Sequence, residues 1–282
     1  MAYGDIPESV LNNLASERMR MYHAMWHFVR NEGAWQNLTP EQRVGLVDEG
    51  WEAPRFEHTA GAGIDFLYMH QRMIGMVNLW GAGEARDNHH HHSDGKNIFK
   101  VIPWYDIPFD HNDPVWPMPP VEIDGNPELE RIFSRSKELD VTDYYKNRIE
   151  TEFTNRQWLT SITLDDFGTE LERSIHGWMH MHWSPSPPEN PNSLDVTNDW
   201  LGSPFSSHVN KHFWRLHGWI DNRILAWGDA NGVEPDLSDG WEGPSDSVTG
   251  QMHNADPKLF SFVGFDRMPT QTMLWDDLLL EN

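Results

Sequence analysis

The sequence feature that most constrains this chain is a pair of aromatic-rich segments carrying histidines at helical spacing. Residues 174–183 read Ser-Ile-His-Gly-Trp-Met-His-Met-His-Trp, and residues 212–227 read His-Phe-Trp-Arg-Leu-His-Gly-Trp-Ile-Asp-Asn-Arg-Ile-Leu-Ala-Trp. Residues four apart share a helix face, so His176 and His180 can aim two imidazoles at one point from a rigid support. His217, inside the second apolar segment, is the natural third donor. Three imidazoles with open positions left on the ion make a metal site. The same spacing also suits two partly buried histidines that bond only to their neighbours, because a histidine pair by itself is a weak motif.

Composition narrows the chemistry. The chain has no cysteine, which removes disulfides, thiolate ligands and thiol nucleophiles, so a tightly held metal must use histidine or carboxylate. Sixteen histidines make that feasible. Forty-four acidic against 21 basic residues give a formal charge of −23, which repels nucleic-acid phosphates and anionic membrane surfaces. No run of about 18 apolar residues is present, so no membrane span is expected. Nor does the start of the sequence show a basic patch followed by an apolar run, and a cytoplasmic location is the expectation. With 282 residues, of which 38% are hydrophobic, one large domain is the simplest organisation.

Periodicity places the remaining elements. An N-terminal helical segment spans 1–50: residues 7–30 have Val10, Leu11, Leu14, Met21, Met25, Trp26 and Val29 at helical spacing, with His23 and His27 on one face. Thr39-Pro40-Glu41-Gln42 is a helix-start signature that predicts a short helix ending near Gly50. Region 51–80 opens irregularly and continues as a helix over 64–79, in which Phe66, Leu67, Met69, His70, Met73, Ile74 and Val77 form a broad apolar face. Residues 81–126 are a long loop with six prolines and the run His89-His90-His91-His92. Four consecutive histidines cannot all face one ion, so the run reads as an exposed, adventitious metal-binding patch, with copper capture as the sharper alternative. Helices are expected over 127–153 and 164–183, and region 164–227 holds the paired segments. Residues 228–282 read as an acidic, loop-rich tail.

Around the paired histidines, Leu171-Glu172, His176-x-x-x-His180 and Phe213-Trp214-x-x-His217-x-x-x-Asp221 together resemble the copper B region of type-3 copper proteins, the tyrosinase, catechol oxidase and hemocyanin superfamily. Phe66-Leu67-x-x-His70 is similar to the segment that carries the last copper A ligand in that family. The resemblance implies a mainly α single domain whose four-helix-bundle core holds a dinuclear copper site among long irregular loops. It assigns His176, His180 and His217 to one copper ion and His70 to the other. The family's loop histidine is replaced here by Gly61, which leaves His58 as the candidate. The first helix would supply His27, preferred over His23.

By the same resemblance the reaction is oxidation of a phenol, catechol or aminophenol by dioxygen, with a small aromatic molecule as partner. Family members that hydroxylate monophenols well often have Asn after the first copper B histidine, where this chain has Gly177. Glu172 would remain as the catalytic carboxylate ordering a water, which favours diphenol or aminophenol oxidation, or a specialised hydroxylation. Asp221 would steady the ligand helices, the alternative being a surface ion pair with Arg223. Phe260, Phe262 or Phe265 could cover the site from the tail. Two other readings stay open: a non-catalytic dioxygen- or copper-binding protein, and a mononuclear metalloenzyme using the copper B ligands alone. Zinc at that triplet would imply hydrolysis.

Overall fold

The computed structural model describes residues 6–87, 100–123 and 125–244. Among them the chain is mainly α, with helices, loops and no strand. Helices α1 (Glu8–Leu14) and α2 (Glu17–Arg30) lead into two short helices, α3 (Glu32–Gln36) and α4 (Pro40–Asp48). The long α5 (Ala62–Asp87) follows, then α6 (Pro127–Arg135), α7 (Leu139–Arg148) and the single turn α8 (Arg156–Leu159). Next come α9 (Leu164–Glu170), α10 (Gly177–His182) and α11 (Lys211–Asn231).

The helix predicted over 7–30 is broken at Ala15-Ser16, where the Ser16 hydroxyl accepts from Met19 N and starts α2 afresh. At α4 the Thr39 signature forms a complete capping box with Gln42, with Pro40 in the first turn. Helix α5 extends to Asp87, well past the predicted Leu79. Its start is capped from outside: the Asp165 carboxylate of α9 accepts from Gly61 N at 2.7 Å and Gly63 N at 3.0 Å.

Helices α5 and α9 cross backbone to backbone at Gly63 and Gly168. A Cβ on Gly63 would sit 1.9 Å from Asp165 O, and one on Gly168 would sit 2.4 Å from Gly63 O. Only hydrogen fits there. Beyond the crossing, α9 and α10 are joined through a wider π-helical turn, Leu171–His176, so that 164–182 is one continuous helical rod. Such turns add a residue to the helix and rotate the face that follows.

One hydrophobic cluster runs through the described residues, built from α2, α5, 164–182 and α11 with Trp26, Trp51, Phe66, Phe167, Trp178 and Phe213 at its heart. Four helical segments carry the predicted ligands other than His58, but α5 packs chiefly against α9 and α11, and a regular four-helix-bundle core is not confirmed. Residues 237–244 lie across α2 and α5: Trp26 Nε1 donates to Trp241 O at 3.2 Å, and Trp241 N donates to Asp65 Oδ1 at 2.7 Å. No helix among the described residues is long and apolar enough to cross a membrane. His89 to His92 and Phe260, Phe262 and Phe265 lie outside the described residues.

Candidate metal centre

Six histidines from four helical segments converge inside the cluster: His23 and His27 from α2, His70 from α5, His176 from the π turn, His180 from α10 and His217 from α11. None is more than 6% exposed. One ring nitrogen of each of His23, His27 and His70 lies within 4.8 Å of the other two, and the same holds for His70, His176 and His217. His180 joins the second group with its ring centroid 4.6 Å from that of His176 and 5.4 Å from that of His217. The two groups touch at His70, which stacks on His217 at 4.4 Å.

The hydrogen bonds fix which nitrogen faces inward. Nδ1 of His70 lies 2.9 Å from Phe66 O, that of His180 2.9 Å from Leu201 O, that of His217 2.7 Å from Phe213 O and that of His23 2.6 Å from Pro204 O. A carbonyl only accepts, so in each neutral ring the proton sits on Nδ1 and Nε2 carries a bare lone pair. Nε2 of His23, His70 and His180 and both ring nitrogens of His27 are buried without a protein partner. A buried polar atom left unpaired costs about 1–3 kcal/mol. Nitrogens of this kind on four neighbouring rings fit a cation as their common partner.

His176 Nε2 and His217 Nε2 stand 3.1 Å apart. Two nitrogens each about 2.0–2.1 Å from one ion are separated by a similar distance. A proton on His176 or a shared cation has to fill that gap, because two bare lone pairs repel.

Electrostatics points the same way. Burial pushes His70 down to about 3 and His180 to about 4, against the ordinary 6.5. His23, His27, His176 and His217 are held well below it, by burial first and then by the neighbouring imidazoles or, for His27, also by Arg30. All six are neutral at physiological pH, the form that ligates metal. The histidines therefore form two groups of three that could each hold an ion, with His70 common to both and His180 beside the second.

The walls are aromatic. Phe213 stacks on His217 at 3.7 Å, and Phe66 lies 4.6 Å from His70 and 4.8 Å from His176. A cavity of about 670 Å3 near the N-terminus of α11 is bordered by Trp183, Asn210 and His212, and none of the six histidines lines it.

Glu172, the predicted carboxylate, sits just beyond His27. It is clamped by Arg30, whose Nη1 donates to Oε1 at 2.6 Å and whose Nη2 donates to Oε2 at 3.0 Å. Both residues are buried, and the Arg30 guanidinium also lies 4.0 Å over the Trp26 ring. Burial opposes the charge on Arg30, but the Glu172 carboxylate outweighs it and raises the guanidinium. Glu57 completes a third group with His27 and Glu172. Burial, with the Glu172 charge added, pushes Glu57 up to about 8, so it is protonated at neutral pH. With Arg30 already supplying a cation, that group is a poor place for a second one.

One predicted ligand, His58, stands differently from expectation. His58 is exposed, at φ +66°, and contributes to neither histidine group. Its side chain is carried outward on the irregular segment before α5, and His23 occupies the third position beside His27 and His70. Asp221 accepts from Gln71 Nε2 at 3.1 Å, which ties α11 to α5, while Arg223 lies 5.4 Å over Trp219 instead of pairing with it. The spacing His23-x-x-x-His27 repeats that of His176-x-x-x-His180 and is the signal that could have included His23. Arg30 and Glu57 leave no such trace, since only folding brings them to Glu172. Compared with known proteins, the chain matches no protein-family model and no curated protein.

Proposed function

We propose that the chain is a dinuclear copper oxidoreductase that uses dioxygen to oxidise a phenol, catechol or aminophenol. His23, His27 and His70 would hold one copper ion and His176, His180 and His217 the other. The observation that carries this reading is the set of six neutral, buried imidazoles, of which His23, His27, His70 and His180 have ring nitrogens without a protein partner while those of His176 and His217 face only each other. Imidazole donors suit copper, zinc, iron and nickel alike. Copper is preferred because Leu171-Glu172 and the 176, 180, 217 histidine pattern resemble the copper B region of type-3 proteins.

When bound, a copper pair supplies the one-electron steps that couple ring oxidation to reduction of dioxygen. The protein's own work is to hold and to exclude. Backbone carbonyls at Phe66, Leu201, Pro204 and Phe213 lock four rings in the ligating tautomer. Phe66 and Phe213 keep water from the space between the rings. Glu172 has two acceptor positions committed to Arg30, so its remaining lone pairs are the ones left to order a water or take a proton. With Gly177 giving no side chain to help, oxidation of diphenols or aminophenols is favoured over hydroxylation of monophenols.

One observation favours a second reading, a dioxygen- or copper-binding protein without turnover. The most exposed of the six histidines reaches only 6%. Oxidation of 4-tert-butylcatechol by the copper-loaded chain separates the two. The oxidase reading expects turnover that is lost in His180→Ala, whereas two bound coppers with no turnover of any diphenol or aminophenol would favour the binding protein.

A further inference from the structure

We propose that His208, a further buried histidine outside both triads, is a positioning residue that acts with the Pro204 carbonyl to hold His23 in its Nδ1–H tautomer and so sets how tightly His23 holds a metal ion. This inference rests on the two-ion reading above.

His208 lies fully buried on the short 3₁₀ turn Ser207–Val209, just before α11. Its Nε2 is 3.0 Å from the Leu14 carbonyl at the end of α1. That oxygen can only accept, so neutral His208 must carry its single ring proton on Nε2, and Nδ1 is left bare.

The bare Nδ1 stands 3.1 Å from Nδ1 of His23. Two nitrogens at that distance attract only if one carries a proton, and His208 has already placed its own elsewhere. His23 must therefore be protonated on Nδ1. The Pro204 carbonyl, 2.6 Å from the same atom, makes the same demand. Two acceptors converge on one N–H, and no acceptor of the protein meets the other ring nitrogen, because His23 Nε2 is buried and unpartnered. In the opposite tautomer three lone pairs, those of Pro204, His208 and His23 itself, would face one another with no proton between them. The Leu14 carbonyl thus acts through His208 on the nitrogen that His23 turns toward His27 and His70. Partners of this kind fix ring orientation and raise ligand basicity, and their loss commonly weakens metal binding about 10- to 100-fold.

Two substitutions separate this role from mere packing. In His208→Asn the amide oxygen falls near the place of Nδ1 and keeps an acceptor for His23, but the contact with Leu14 is lost. In His208→Gln the longer amide reaches toward Leu14 and vacates the Nδ1 position. The full chain is to be studied metal-free by imidazole ¹⁵N NMR, and copper-loaded by competition titration that resolves each ion. The expected results are Nδ1–H on His23 and Nε2–H on His208 without metal, and two copper ions held at wild-type strength by His208→Asn. His208→Gln should bind one of the two ions about 10- to 100-fold more weakly and leave the other unchanged.

Equal binding of both ions by both variants would overturn the proposal. So would equal weakening by both in step with a fall in Tm, or a metal-free His23 protonated on Nε2. A wild-type chain that holds fewer than two copper ions would sink the dinuclear reading instead. The tautomers of His23 and His208, read without metal, would then still uphold or overturn the hydrogen-bond link itself.

Discussion

At the residue scale the strongest claim concerns Arg30 and Glu172, a bidentate ion pair at 2.6 and 3.0 Å in the protein interior. Removing either partner strands the other charge, at a cost of about 3–5 kcal/mol. We predict that Arg30→Met and Glu172→Gln each lower unfolding stability by that order in urea titrations, and that the double variant recovers part of the loss. If each single variant costs under 1 kcal/mol, the pair is not the buried clamp described. The histidines make a sharper contrast: His23→Ala should cost one copper ion and His58→Ala none, as elemental analysis of the desalted protein would report. His58 was the sequence-level candidate because the resemblance asks for a loop histidine, yet its segment folds with that side chain outward. His23 was legible in principle from its spacing to His27. His208, Arg30 and Glu57 were not, because each meets its partner across distant stretches of chain and no local period marks it.

At the element scale, the amphipathic periods located the helices more reliably than their ends. The Thr39 capping box and the apolar stripe of 64–79 were visible because cap chemistry and burial are written locally. The break at Ala15-Ser16 went unseen because the apolar period continues through it. The π turn at Leu171–His176 was equally hidden, although it determines how His176 and His180 face the other rings. What permits the close crossing of α5 and α9 is glycine on both sides. We predict that Gly168→Ala lowers Tm and costs on the order of 1–3 kcal/mol through forced backbone movement, with copper binding weakened as the 164–182 rod shifts. Unchanged Tm and copper content would show that the crossing has slack.

At the scale of the whole molecule, the cost of burying so many neutral imidazoles should appear in the pH dependence of the metal-free protein. His182, His208 and His212, none of them a proposed ligand, are each pushed down by burial to about 3. In the unfolded chain they titrate near 6.5, so below that pH the unfolded state binds more protons and stability falls toward pH 3. By pH 5 each contributes a loss on the order of 2 kcal/mol. Glu57 acts with the opposite slope: its folded value near 8 means that the stability it contributes at low pH is lost as pH rises through 8. Metal-free protein should therefore be most stable near neutrality and unfold steeply below pH 6, as circular dichroism against pH would report. A flat profile from pH 7 to 4 would contradict the buried, neutral histidines.

The central claim, that six histidines hold two ions in two triads, is tested most directly by counting copper in the loaded, desalted chain and in two variants. The account predicts two ions per chain for the wild type and one each for His23→Ala and His180→Ala. It also predicts an antiferromagnetically coupled, EPR-silent pair in the oxidised wild type and an EPR-visible copper(II) in each variant. A wild-type chain that binds one ion or none, or a His23→Ala variant that keeps both, would contradict it.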